Sequence, residues 1–156
     1  MSTYDLGLLV HLVGVLLFFS GLLLAGASFE AARRRGRPSE VALLLGLTRV
    51  GALFVAAGVL LIFAGGSWLA HQTDQFGAAW LRVSLGLFLV SIVLGAFGGQ
   101  RPKRARRLAT RLADDQDEMT IELRRFLDDP VSLAVNYAAS ILALIVLVLM
   151  IWRPGR

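Results

Sequence analysis

The feature that most constrains this chain is a set of four long stretches without a formal charge. They are Leu6 to Phe29 (24 residues), Val50 to Thr73 (24), Val83 to Gln100 (18) and Pro130 to Trp152 (23). A hydrocarbon core about 30 Å thick is crossed by ~20 apolar residues in a helix. No water is available there, so the backbone must satisfy its own N–H and C=O groups, and a helix does so within one segment. A spanning β-barrel would show alternating strands of ~10 residues, a pattern this sequence lacks. The predicted fold is all-α: an integral membrane four-helix bundle with spans near 5–28, 43–66, 78–98 and 131–152, making one transmembrane domain over 1–156.

Composition agrees. Hydrophobic residues make up 56% and charged residues 17%, against ~25% charged in soluble domains. There is no cysteine, which excludes disulfides, thiolate metal sites and iron–sulfur clusters. The net charge of +5 does not point to nucleic acid, because the basic residues sit between apolar blocks. The first block follows Met-Ser-Thr-Tyr-Asp, with no basic residue before it. Its apolar run also exceeds the ~7–15 residues of a signal peptide, so it reads as a retained helix.

Twelve of the sixteen basic residues fall in two segments, Arg33 to Arg37 and Arg101 to Arg125, whereas Ser67 to Gly77 has none. Short loops rich in Lys and Arg stay cytoplasmic. The expected location is the bacterial cytoplasmic (inner) membrane, multi-pass, with both termini outside. Between the last two spans Ala105, Leu108, Ala109, Leu112, Met119, Leu123 and Phe126 recur at helical spacing. This predicts an amphipathic cytoplasmic helix near 103–127, as one helix or a hairpin lying at the membrane surface. Its basic start, Arg101 to Arg111, suits anionic lipid as well as simple retention on the inner side. Asp129 before Pro130 is an N-cap and first-turn signal for the last span.

Within the spans, Gly7, Gly14 and Gly21 are seven apart, with His11, Phe18 and Ala25 between them on one helical face. Gly51, Gly58 and Gly65 repeat the device in the second span, Ser84, Ser91 and Gly98 in the third, and Ser132, Asn136, Ser140 and Ala143 mark the fourth. Small residues admit a neighbouring backbone or a flat ligand. His11 lies ~9 Å inside the outer end. An ionisable group at that depth faces the bundle or a cavity, where imidazole can ligate haem iron, relay a proton or bond a neighbouring helix. His71 reads as a solvated loop residue. Arg82 near the outer end and Arg49 near the inner end either snorkel to headgroups or, for Arg82, hold a carboxylate or haem propionate. Trp68, Trp80 and Trp152 read as interfacial anchors, and Asn136 as an interhelical hydrogen-bonding group. No nucleophile with a base, no paired carboxylate in a span and no phosphate loop is present. Met119 and Met150 are too far apart to build a copper site.

The first span, Leu9-Val10-His11-Leu12-Val13-Gly14 followed by Phe18 and Ser20-Gly21, resembles an uncharacterised bacterial family of predicted integral membrane proteins. The third, Ala79-Trp80-Leu81-Arg82-Val83-Ser84-Leu85, followed by Arg101-Pro102 and Arg106-Arg107-Leu108, resembles the same family. That family is distantly similar to the copper-resistance D proteins and to HemJ-type protoporphyrinogen oxidases. In the latter, a first-helix histidine and a third-helix lysine are associated with haem b. His11 matches the histidine; Ser84 stands at the lysine position, and no histidine ends the third span. The resemblance therefore implies haem b through His11 without implying porphyrinogen oxidation. Three readings follow. The first is a non-catalytic accessory, assembly or homo-oligomeric membrane subunit. The second is a haem b protein with His11 as axial ligand, the Gly7/Gly14 face as porphyrin surface and Arg82 and Ser84 beside it. The third is a small transporter or channel-like subunit, disfavoured by the lack of acidic residues and broken helices in the spans.

Overall fold

A computed structural model describes residues 2–153. Its elements are α1 (Thr3–Arg33), α2 (Pro38–Gln72), α3 (Ala79–Gly98), α4 (Gln100–Asp115), α5 (Ile121–Leu127) and α6 (Pro130–Trp152), with no strand among the described residues. Among the described residues four helices are long and apolar enough to cross a membrane: α1, α2, α3 continued into α4, and α5 continued into α6. The expected spans 5–28, 43–66 and 131–152 lie within α1, α2 and α6, 78–98 matches α3 with Ala78 as its N-cap, and the all-helical membrane fold stands.

Helix starts follow local chemistry. Ser2 Oγ accepts from the Asp5 amide at 3.1 Å while Asp5 Oδ2 accepts from the Ser2 amide at 2.9 Å, a reciprocal cap. Asp129 Oδ2 accepts from the Ser132 amide at 2.9 Å, with Pro130 opening α6. This is the N-cap arrangement expected of the Asp129–Pro130 pair.

The helices associate as two antiparallel pairs. In α1/α2 the two glycine stripes meet face to face. A Cβ on Gly14 would stand 2.7 Å from the Ile62 nitrogen, and one on Gly21 2.5 Å from the Gly51 oxygen. The backbones are in direct contact, which in lipid is how helices gain dispersion energy without a hydrophobic driving force. In α3/α6, Ser91 Oγ donates to Ala139 O at 2.8 Å and Ser132 Oγ to Gly98 O at 3.2 Å. Both pairs use a seven-residue repeat, the period of left-handed antiparallel packing. Larger side chains join the pairs: Phe18 of α1 and Phe88 of α3 have ring centroids 5.3 Å apart. Phe63 of α2 lies 5.8 Å from Phe88, and Ala143 and Val146 complete the cluster.

The stretch expected as one surface helix is two helices, and its apolar stripe faces protein. Gly99 keeps a helical conformation (φ −71°, ψ −9°), so α3 runs on into α4 over 37 residues. That length, about 55 Å, carries α4 well beyond a ~30 Å hydrocarbon core. The stripe of Ala105, Ala109, Leu123 and Leu127 closes a second core with Phe29, Ala32, Val41 and Leu45. α4 ends where Asp114, Asp115 and Asp117 crowd its C-terminus, an unfavourable place for negative charge. Asp117 then takes a left-handed conformation (φ 52°), and Thr120 caps α5 by accepting from the Leu123 amide at 3.2 Å.

Polar contacts tie this end together. Arg124 Nη1 donates to Arg33 O at 2.7 Å, at the C-terminus of α1, where a cation complements the helix dipole. Arg33 pairs with Asp128 at 3.2 Å. Asp117 accepts from the Ser39 amide at 2.7 Å and hydroxyl at 2.8 Å, supplying the first turn of α2 with an acceptor that its own N-cap, Arg37, lacks.

Candidate functional site

His11 is held on the α1/α2 seam. Its Nδ1 lies 3.2 Å from the Ile62 carbonyl oxygen. Two adjacent glycines of α2 make the place. Gly65 lets the His11 backbone approach, since a Cβ there would stand 2.6 Å from the His11 nitrogen. Gly66 leaves room for the ring: a Cβ there would stand 3.2 Å from Nδ1. Gly66 was not singled out from the sequence, because it breaks the seven-residue spacing that marks its neighbours. When Nδ1 carries the proton and donates to Ile62, Nε2 keeps the lone pair, the arrangement that suits a metal-ligating imidazole.

The rest of a haem site does not assemble around it. Gly7 faces the Trp68 ring, with Cδ1 2.5 Å from where its Cβ would be, and Gly14 faces the α2 backbone. The surface expected for the porphyrin is filled by α2 itself. Arg82 is exposed, and Ser84 is fully buried with its Oγ unpartnered. Among the described residues no hydrogen bond joins either of them to His11. The residues present therefore do not fit a haem on the Gly7/Gly14 face.

Other polar groups of the spans serve the helix pairs. Ser84 shares a face with Ser91 and Gly98, but its buried hydroxyl has no hydrogen-bond partner, either in its own preceding turn or on another helix. Asn136, expected to bond across helices, packs against the bare Cα of Gly98; in that layer the interhelical bond comes from Ser132. Trp80, expected as an interfacial anchor, is buried against the protein, with the Arg153 guanidinium 5.6 Å from its ring centroid. Trp68 and Trp152 are exposed, and Trp68 Nε1 donates to Thr3 O at 3.1 Å, fastening the end of α2 to the start of α1. His71, expected in a loop, is exposed but lies in the last turn of α2, which runs on to Gln72. No group of three His, Cys, Asp or Glu that could hold a metal occurs among the described residues.

Compared with known proteins, residues 6–154 match a family model described as predicted integral membrane protein (DUF2269). No curated protein and no solved structure matches the chain. These comparisons carry the resemblance to the membrane family, not the more distant one to copper-resistance D and HemJ-type proteins.

Proposed function

Because this chain belongs to the predicted integral membrane protein family (DUF2269), and so works inside a lipid bilayer, we propose that it is a non-catalytic accessory or assembly subunit. It acts in a larger membrane complex or as a homo-oligomer. The observation that carries this reading is where the polar groups of the spans go: His11 to Ile62 O, Ser91 to Ala139 O and Ser132 to Gly98 O, each to the backbone of its pair partner. Side chains spent on joining helices build a scaffold. We place it in the bacterial inner membrane with the arginine-rich end cytoplasmic and both termini outside, on the charge rule for short loops.

The test is the mass and company of the full chain taken from its own membrane in native nanodiscs, with an absorption spectrum of the same sample. The expected result is a colourless particle whose mass exceeds that of one 16.9 kDa chain, through extra copies or a stoichiometric partner. A lone monomer overturns the proposal. So does a Soret band that His11→Ala abolishes, which would return haem chemistry to first place.

A further inference from the structure

The continuation of α3 into α4 gives the basic residues of α4 a definite direction. Ala105 and Ala109 are fully buried in the second core. At 100° per residue, positions 100, 103, 104, 107 and 111 lie on the opposite face. That face carries Gln100, Lys103, Arg104, Arg107 and Arg111, with no acidic residue before Asp114. Among the described residues Arg101 lies 3.8 Å from Asp129, whereas Lys103, Arg104, Arg107 and Arg111 have no ion pair. Gln100, Lys103, Arg104 and Arg107 stand side by side along this face.

Distance from the hydrocarbon points to what fits there. The apolar run of α3 ends at Gly98. Lys103 and Arg104 follow it by about 8–9 Å along the axis and Arg107 by about 14 Å. A headgroup layer is about 5–8 Å deep on each side, within reach of these long side chains folding back toward the bilayer. We propose that the Gln100–Lys103–Arg104–Arg107 face is a docking site for the phosphate of an anionic phospholipid headgroup. The guanidinium groups grip its phosphate oxygens and Gln100 donates from the membrane side. The site binds a lipid at the foot of α3, in place of α4 lying flat on the surface. Its ligand does not depend on whether the chain assembles with partners.

The experiment uses the full chain in phosphatidylcholine nanodiscs doped with spin-labelled phosphatidylglycerol or spin-labelled phosphatidylcholine. The reading is the preference of the protein's boundary for one label over the other. Each Lys or Arg near an anionic surface contributes about 1 kcal/mol, about fivefold in partitioning. A clear preference for phosphatidylglycerol is expected in the wild type. It should fall by on the order of a hundredfold in the combined K103Q/R104Q/R107Q variant and survive in R125Q, which alters the same end of the molecule outside this face. Equal preference for the two lipids in the wild type overturns the proposal, as does a folded triple variant that keeps the preference. Inorganic phosphate competing as well as phosphatidylglycerol would mean that the site takes the free ion, and would overturn the lipid assignment. Should the triple variant fail to fold, K103Q and R107Q measured singly must each reduce the preference, or the site is wrong.

Discussion

At Gly58 an added methyl group would fall 2.5 Å from the Phe18 amide nitrogen and 2.7 Å from the Gly14 oxygen. Both are backbone atoms of a packed helix and cannot step aside. Gly58→Ala should therefore force α1 and α2 apart at a cost of about 1–3 kcal/mol. Gly86→Ala, with nothing within 4 Å, should be neutral or gain up to ~1 kcal/mol of helix propensity. Unfolding in mixed micelles compares the two, and equal responses would contradict the glycine seam. His11→Phe keeps a flat ring beside Gly66 and removes one bond to Ile62 O. An interhelical bond of this kind contributes about 0.6 kcal/mol and at most ~2, so the expected loss is small. A variant of unaltered stability that loses a cellular phenotype would mark His11 as acting on a ligand. At this scale the seven-residue glycine stripes were legible from the sequence, because repetition is a property of the chain itself. The part played by Gly66 was not: nothing about a lone glycine says whose ring it accommodates.

Among the elements, the contact between the α4–α5 turn and the start of α2 carries a pH signature. The Ser39 amide, its hydroxyl and the nearby charge of Arg37 hold the Asp117 carboxyl below the usual carboxylate range. A carboxyl lowered in the folded state stabilises the fold above its unfolded pKa of about 4. That contribution is lost as pH falls through the lowered native value. The protection of amides around Ser39, taken as exchange relative to the intrinsic rate at each pH, should therefore be high and flat near neutral pH and fall in the acid range. In Asp117→Asn that acid-range fall should be absent. An identical pH profile in both proteins would rule out the Asp117 link. The sequence showed an amphipathic stretch at 103–127 but could not say what its apolar side touched. A lipid surface and a protein groove ask for the same alternation, and only the neighbouring Val41 and Leu45 decide for the groove.

For the whole molecule, two cores at different heights predict two separable failures. Phe88→Ala removes the ring that bridges the helix pairs. Its cost should be on the order of 2 kcal/mol, below the ~3–5 kcal/mol of a core in water, because lipid chains replace part of the lost contact. Leu123→Ala empties a fully buried position of the second core that itself lies outside the charge-free stretches, so about 2–5 kcal/mol is expected. The double variant should lose the sum to within ~0.5 kcal/mol. A large departure from additivity would show that the two cores are energetically coupled rather than independent.

The spans were determined by the sequence alone, because crossing a bilayer is a requirement on each segment separately: enough apolar length and a self-satisfied backbone. That the arginines gather at one end of the bundle follows likewise from their positions along the chain. Which helices pair, what fills the glycine faces, where Trp80 goes and what the stripe from Ala105 to Leu127 covers were decided only by the tertiary structure. Lipid is as apolar as leucine, so hydropathy does not distinguish a helix face that meets lipid from one that meets a helix. The choice rests on the fit of particular surfaces, such as Gly58 against Phe18, that exists only once both helices are in place.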